Sequence, residues 1–484
     1  MITRVAVAAI LVGAAAGFAF PEPAVAHALV GRQDLPIPEW LFAWGASLVL
    51  IVSFVAMTIA WRRPLLAAEH WRPAPGWLSR LLVNSITELL AGALGVFLLA
   101  ATVWAGLQGT DDPTTNFALT FVFVTFWLGL VALSVLFGDV FRALNPWRAI
   151  ARACGRAFRL VARQAAEPPF RYPEWLGRWP AVAGLIAFLW LELVYGQSGF
   201  GTVGLTPRTV AIATIAYSSL TFAGMALFGT ETWLRRGETF SVYFAMFARL
   251  SPLEVREGRL GFRRPLSGLS SWVGTTAGSV ALVLVTIGGT AFDGAQEGAL
   301  QGTISGVFEW MIDLGLDPTR ALRITNTFFF TVTLAAVAAI YWAGVWGMRN
   351  VRGSPSLDRL GRAFGHAFVT IALAYLVAHY FSLVVFQEQA QFTYLLSDPL
   401  GDGSDYFGTA SSGIDYGLIS ATAVWYIQVG VLVVGHVLAL ALGHDRALTV
   451  YGEPRLAARS QYWMLALMVG FTSLGLFLLS QANQ

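Results

Sequence analysis

The sequence is poor in charged residues and lacks lysine altogether. Only 12% of its 484 residues are charged, whereas 56% are hydrophobic, and a soluble chain would have about a quarter charged residues. This deficit excludes an ordinary soluble protein and places most of the chain in lipid. All 31 basic residues are arginines in short clusters between apolar segments, so nucleic acid is not an expected partner.

Cysteine is nearly absent, and so are several motifs that would identify an enzyme class. The single Cys154 excludes an intrachain disulfide and a thiolate cluster. The sequence contains no G-x-x-x-x-G-K-[ST], no H-E-x-x-H and no G-x-S-x-G. A nucleotide-driven pump and a serine hydrolase of the common kind are therefore disfavoured.

The first 26 residues have the composition of an export signal. Arg4 precedes an apolar stretch, and PEPAVA ends in the small-x-small pattern that signal peptidase accepts. Cleavage after Ala26 would leave His27 as the amino terminus; cleavage after Ala28 and an uncleaved first helix are the alternatives. Residues 27–484 are expected to form a single transmembrane helical domain.

Beyond this leader, ten apolar runs are long enough, at roughly 20 residues, to cross a bilayer. They cover residues 39–61, 87–108, 118–138, 179–197, 208–230, 270–292, 324–347, 365–386, 417–442 and 461–481. The sequence therefore predicts an all-α polytopic integral membrane protein.

The arginines predict its orientation. If the mature amino terminus is outside, 26 of the 31 arginines face the cytoplasm; the others are Arg4, Arg32, Arg208, Arg320 and Arg323. By the positive-inside rule, this bias predicts a multi-pass membrane protein with both termini outside.

Two kinds of connection stand out. The inner segment near 146–165 has an arginine every three or four residues with apolar residues between them, which predicts an amphipathic helix lying on the anionic inner leaflet. The predicted outer loops 293–323 and 387–416 are acidic and long enough to cover the outer end of the helix bundle.

Ionisable residues inside apolar runs are costly, so each is a candidate site. Glu192 and His379 fall at comparable depth in the outer half and are the predicted catalytic pair. Glu192, His379 and His436 are candidate ligands for zinc or copper. His27 joins them, because an amino-terminal histidine chelates copper through amine and imidazole together, and HALVGRQ resembles the mature start of some periplasmic copper proteins.

Four further residues are weaker candidates. Asp139 lies near an inner helix end, where it could instead pair with Arg142. Glu309 and Asp313 are four residues apart and share one face if that loop is helical. Gln428 is a polar residue inside the ninth run. A lone intramembrane histidine more often bonds a facing helix than a metal, so His379 and His436 also have a purely structural interpretation.

Three stretches resemble a known group of proteins. HALVGRQDLPIPEWLFAWGASLVLIVSF, LAYLVAHYFSLVVFQEQ and VWYIQVGVLVVGHVLALALGHDRAL are similar to segments of actinobacterial multi-spanning membrane proteins known as fenitrothion hydrolases. The resemblance implies a protein of a bacterial plasma membrane that hydrolyses an organophosphorus triester with release of a nitrophenol. Such chemistry generally uses a metal-activated water, but no established catalytic residue of that group can be placed on this sequence.

The sequence leaves three functions open. The first is a membrane-embedded hydrolase of an apolar triester, with a metal-activated water near Glu192 and His379. The second is a transporter or copper-handling permease in which Glu192, His379 and His436 form a stepped polar path. The third is a structural membrane protein whose polar residues only hold helices together.

Overall fold

The protein is an all-helical membrane protein, and 75% of it is helical. The computed structural model describes residues 39–66, 71–163, 167–197, 204–270 and 276–482. In that part of the chain, ten apolar helices occupy the ten predicted runs. They are α1 (Glu39–Ala60), α2 (Ser85–Gln108), α3 (Phe117–Phe137), α4 (Trp179–Trp190, continuing as a π-helix over Leu191–Tyr195), α5 (Pro207–Phe228), α6 (Ser279–Gln296), α7 (Pro318–Gly347), α8 (Phe368–Phe392), α9 (Ala421–Tyr451) and α10 (Tyr462–Ala482).

The number of spans is slightly lower than the prediction. Over the described residues, eight helices are long and apolar enough to cross a membrane. A short helix, Pro454–Ser460, together with α10 makes a ninth, bent by 40°. The apolar part of α1 that is described, Trp44–Ala60, is shorter, so the tenth span stays a prediction. The predicted signal peptide 1–26 and His27 lie outside the described residues.

Polar caps fix where several helices begin. The side chain of Asn84 accepts hydrogen bonds from the N–H groups of Ile86 and Thr87 at the start of α2. Asn116 and Ser420 cap α3 and α9 in the same way. Such caps satisfy N–H groups that have no partner inside the helix, so they mark the points at which the chain enters the apolar layer.

Contacts between connections agree with the predicted alternation of sides. Strand β1 (Trp71–Pro73) follows α1, and the hairpin of β2 (Leu253–Arg256) and β3 (Arg259–Arg263) lies between α5 and α6. All belong to predicted inner connections, and they form one antiparallel sheet with β3 in the centre. Two predicted outer connections also meet, because the Thr110 N–H donates to the Leu400 carbonyl at 2.7 Å.

One predicted inner connection, between the fifth and sixth runs, folds partly into the bundle. Between α5 and β2 lie a short helix, Thr230–Arg236, and an apolar helix, Thr239–Ala248, most of which is buried. The second helix packs against α3, α4 and α8. It is too short to span a bilayer, and the chain leaves it on the side from which it entered. We call Thr239–Ala248 the re-entrant helix.

Short helices and turns complete the predicted inner and outer connections. The helix Pro146–Ala162, here called the surface helix, lies within the predicted amphipathic segment 146–165. The remaining short helices of the described chain are Gly76–Leu82, Phe141–Leu144, Glu174–Leu176, Ser267–Ser270, Gln301–Asp313, Met348–Asn350, Leu357–Phe364, Gly365–Ala367 and Tyr394–Ser397.

The surface helix is tied to the bundle by an arginine cluster, which consists of Glu88, Arg142, Arg148, Arg152 and Glu231. Glu88 Oε1 is 2.5 Å from Arg148 Nη1 and 2.6 Å from Arg152 Nη1. Glu231 Oε1 is 3.1 Å from Arg148 Nε. Arg148 is buried, so its guanidinium depends on these two carboxylates to replace water.

Helix α6 is the centre of the bundle, and every residue from Leu282 to Ala295 is buried. Two glycines make room for its neighbours. A Cβ at Gly288 would lie 2.7 Å from Leu334 Cδ2 on α7, and one at Gly289 would lie 2.6 Å from Leu189 Cδ1 on α4. Because α6 is held this closely between α4 and α7, the polar side chains near its outer end lie inside the core.

Candidate functional site

A carboxylate and an imidazole meet in the core, but the acid is not the one predicted. His379 Nε2 on α8 is 2.9 Å from Asp293 Oδ2 on α6. Tyr380 donates its hydroxyl to the same oxygen at 2.6 Å, and Gln296 Nε2 donates to Asp293 Oδ1 at 3.0 Å. Asp293 is therefore fixed by three neighbours in a region from which water is largely excluded.

The predicted acid, Glu192, belongs to the same region. It lies in the π-helical end of α4, and its Oε2 atom is buried with no hydrogen-bond partner in the described chain. It is near enough to Asp293 and Tyr380 to interact with both electrostatically. The structure thus brings Glu192 and His379 into one group but gives His379 a different carboxylate. We call Glu192, Asp293, His379 and Tyr380 the outer cluster.

Two irregular helix segments adjoin the outer cluster. Helix α3 is a π-helix over Phe121–Gly129, and α4 ends as one over Leu191–Tyr195. The first carries Trp127, whose ring centroid is 5.2 Å from that of Tyr380. The Trp127 N–H donates to the Tyr243 hydroxyl of the re-entrant helix at 3.1 Å. Because π-helical turns concentrate at functional sites, their position beside this cluster favours a function for it.

The outer cluster is not sealed. The side chains of His379 and Asp293 are 14% and 13% exposed, so a small molecule such as water reaches them. Glu297 follows one turn after Asp293 and is exposed at the predicted outer end of α6. The protein surrounding Glu297 raises its pKa, the negative charge of Asp293 raises it further, and His379 opposes the rise. The protonated form of this carboxyl group at the entrance is therefore favoured more than in a free glutamate.

A second predicted histidine, His436 on α9, lies deeper. Its Nδ1 is 2.8 Å from the Leu432 carbonyl, and its Nε2 is buried without a partner in the described chain. The preceding Gly435 packs on Ala374 of α8, where an added Cβ would lie 2.2 Å from the alanine Cβ. Since Ala374 is five residues before His379, His436 lies roughly 7 Å further toward the predicted inner side.

A third imidazole continues this series. His366 lies just before α8, is buried, and has an Nδ1 atom without a hydrogen-bond partner among the described residues. It is 13 residues before His379, which corresponds to about 20 Å along a helix. The imidazoles of His379, His436 and His366 therefore follow one another from the outer half of the bundle to its inner end.

The remaining sequence candidates lie elsewhere. Asp139 is exposed after α3, where its Oδ1 accepts from the Arg142 N–H at 3.2 Å. Glu309 and Asp313 are exposed on the helix Gln301–Asp313 and touch no part of the outer cluster that the structure describes. Gln428 is buried on α9, two turns to the outer side of His436.

The predicted metal set is not assembled. Within the described ranges, no three or more His, Cys, Asp or Glu side chains are grouped so as to hold a metal ion. Glu192 and His379 share a cluster, but His436 lies deeper, and His27 is outside the described residues. Copper or zinc binding therefore stays a prediction, and no step of the chemistry below uses a metal.

Comparison with known proteins gives no family for this chain. No protein-family model, curated protein or solved structure matches it. The site must therefore be interpreted from its own chemistry. An acid, an imidazole and a phenol lie in hydrogen-bond contact, and beside them is a carboxyl group with one oxygen that has no partner in the described chain. Such a group can accept, hold and release a proton.

Proposed function

We propose that the protein is a secondary transporter that moves protons across the membrane, with Asp293 and His379 as the carrier pair. One observation carries the proposal: the 2.9 Å contact between these side chains joins two ionisable groups in the core of a membrane bundle. Such groups are expensive at membrane depth, and those that persist there commonly serve as proton relays.

The balance of charge in the outer cluster supports this proposal. Glu192 and Asp293 bring two carboxyl groups, whereas His379 brings the single basic group of the cluster. A group that served only to hold helices together would be expected to pair its charges fully, because an unpaired buried charge is destabilising. Here one carboxyl oxygen has no partner in the described chain, so the cluster has room for an additional proton.

The remaining imidazoles supply a route. Glu297 lies at the entrance, the carrier pair follows, and His436 and His366 lie successively deeper, each with a buried ring nitrogen that has no partner in the described part of the chain. The estimated steps of roughly 7 Å or more exceed the reach of a hydrogen bond. The route therefore requires water between the rings during transfer.

Proton flux into liposomes tests the proposal directly. The purified protein is reconstituted with a pH-sensitive dye inside, and a potassium diffusion potential, negative inside, drives protons inward. The wild type is expected to acidify the lumen. Asp293→Asn is expected to slow this flux by about a hundredfold, because the amide cannot carry the proton. His379→Gln is expected to slow it similarly.

Glu309→Gln is the matched control, since it removes a carboxyl that is exposed and outside the outer cluster. It should leave both the flux and the melting temperature unchanged. Wild-type flux equal to that of protein-free liposomes would overturn the proposal. So would an Asp293→Asn protein that folds and conducts as fast as the wild type.

Hydrolysis of an organophosphorus triester is a second candidate, favoured by the partial exposure of the His379–Asp293 pair. In this reaction His379 would accept a proton from a water molecule whose oxygen attacks phosphorus, Asp293 would stabilise the resulting imidazolium, and the phosphorus–oxygen bond to nitrophenolate would break. The test is nitrophenol release from fenitrothion by the purified protein. Activity that disappears in His379→Gln supports hydrolysis; wild-type release at the rate of buffer rejects it.

A further inference from the structure

A large apolar cavity lies beside the outer cluster, and no step of the proposed proton route uses it. Its volume is about 1340 Å³, and it is open on one side and lined mainly by α2, α3, α4, α5 and the outer end of α8. Ligand pockets are commonly about 300–1,000 Å³, so this cavity has room for a long molecule. Leu94 and Leu220 at its edge are exposed toward the lipid, which gives an apolar ligand a lateral entrance.

The shape of the cavity favours an elongated ligand. Its lining extends from Gln391 and Leu396, at the predicted outer end, to Trp147 at the start of the surface helix on the predicted inner side. Between these ends the walls are almost entirely aliphatic and aromatic. A hydrocarbon chain gains free energy by leaving water for such a surface, but a compact polar solute would gain nothing from it.

The carboxyl group and the side-chain amide of the lining, Glu388 and Gln391, both lie at its outer end. Gln391 is only 2% exposed, and its Oε1 acceptor has no hydrogen-bond partner in the described chain. One turn earlier on α8, Glu388 Oε2 accepts from the Thr125 hydroxyl at 2.9 Å. A buried acceptor without a donor costs free energy. A ligand that donates a hydrogen bond to Gln391 Oε1 would remove this cost.

The charge of the lining selects among head groups. Over the lining residues that the structure describes, Glu388 is the only side chain with a formal charge, and it is acidic. An anionic head, such as a carboxylate or phosphate, would be repelled there. A primary ammonium group has three donors, matches the carboxylate of Glu388, and can also donate to Gln391.

We infer that this cavity binds a long-chain amine, with its ammonium group between Glu388 and Gln391 and its chain along α4 and α5. The inference does not depend on proton transfer at Asp293. The two sites do share a wall, because Phe188 lines the cavity and packs on Trp127 at a centroid distance of 5.4 Å, and Trp127 packs on Tyr380.

Quenching of tryptophan fluorescence tests the site. The full chain is placed in phosphatidylcholine nanodiscs and titrated with dodecylamine brominated at its chain end. Trp147, Trp190 and Trp233 line the cavity, so bromine bound there should quench them with a saturating curve. The brominated dodecanoic acid should bind at least about tenfold more weakly, and the brominated dodecanol should lie between them.

Substitutions distinguish specific binding of the amine from unspecific partition of a hydrocarbon chain into the cavity. Glu388→Gln should weaken the amine about tenfold, and Gln391→Leu several-fold, whereas Gln387→Leu, on the same helix but outside the lining, should have no effect. Ala213→Phe fills the cavity and should weaken all three probes. If Glu388→Gln does not fold, Thr125→Val, which removes the donor to Glu388, replaces it with an expected several-fold loss.

Quenching that fails to saturate, or that is equal for the three probes, would overturn the inference, because it would indicate partition of any chain into the groove. Amine binding that is unaltered in both Glu388→Gln and Gln391→Leu would overturn it as well. Neither result would affect the proton-flux test of Asp293→Asn, so the two proposals fail separately.

Discussion

The arginine cluster and the outer cluster treat buried charge in opposite ways. In the first, the carboxylates of Glu88 and Glu231 together meet the three guanidinium groups of Arg142, Arg148 and Arg152 at 2.5–3.5 Å. In the second, Asp293 pairs with the single imidazole of His379, whereas Glu192 beside it has one carboxyl oxygen without a partner in the described chain. Complete pairing anchors the surface helix, whereas incomplete pairing leaves a group able to change its protonation.

The largest effect should come from the arginine cluster. Arg148→Met removes the buried guanidinium and its hydrogen bonds to two partly exposed carboxylates, so we expect the free energy of unfolding to fall by about 2 kcal/mol. Thermal unfolding in detergent measures this loss. Arg159→Met, on an exposed part of the same helix, is the control. If both variants melt within a degree of each other, Arg148 does not anchor the helix.

The same substitution should have opposite effects in the two clusters. Glu88→Gln removes the charge that two arginines share and should lower stability by about 1 kcal/mol. Glu192→Gln removes a carboxyl without a full set of partners, so it should be neutral or stabilising by up to about 1 kcal/mol. Both are measured by unfolding in one detergent. If Glu192→Gln lowered the free energy of unfolding as much as Glu88→Gln, the two clusters would not differ in how they pair their charges.

The melting temperature should depend on pH through Glu297, at the entrance of the outer cluster. The pKa of Glu297 is higher in the folded protein than in the unfolded chain. The protonated side chain therefore stabilises the fold fully below the pKa of the unfolded chain, and this stabilisation is lost as the pH rises through the pKa of the folded protein. Glu297→Gln should therefore melt about 1 °C higher than the wild type at neutral pH, a small change because the group is exposed.

The difference between Glu297→Gln and the wild type should disappear near pH 4, where both side chains are uncharged. Melting curves of the two proteins across this range measure the effect. A difference that stays the same at every pH would show that the charge of Glu297 is not its cause.

The smallest structural change tests access to the imidazole. A Cβ at Gly294 would lie 3.5 Å from Nδ1 and Cε1 of His379, which is an ordinary contact. Gly294→Ala should therefore fold normally and, because alanine suits a helix better than glycine, should not lower the melting temperature. The methyl group covers the ring, so proton flux should fall by a few fold. Unchanged flux would mean that protons reach His379 from another side.

Hydropathy predicted the helices well because the ten runs are separated by arginines and turn residues. It placed the end of the sixth run at residue 292, since Asp293 is followed by glycine, glutamine and glutamate. The structure extends that helix to Gln296, so Asp293 lies within the core rather than in the predicted outer loop 293–323.

Other features had weaker signals. The re-entrant helix has only ten residues, too few to be recognised as a membrane element by length. The two π-helical segments arise from a shift in backbone hydrogen bonding that side-chain composition does not encode. The partner of His379 was missed because pairing between α6 and α8 depends on how these helices pack, and periodicity along one helix contains no information about its neighbours.

The three-stranded sheet limits which parts of the protein can move independently. Strand β1 is continuous with α1 and α2, whereas β2 and β3 are continuous with the re-entrant helix, which lies against α3 and α4. Any rocking motion that separated these groups would have to break the ladder that β3 makes with both neighbours. Because α1 itself packs on α9 and α10, the sheet links these helices to the group of α3, α4 and the re-entrant helix, and a conformational cycle has to leave this link intact.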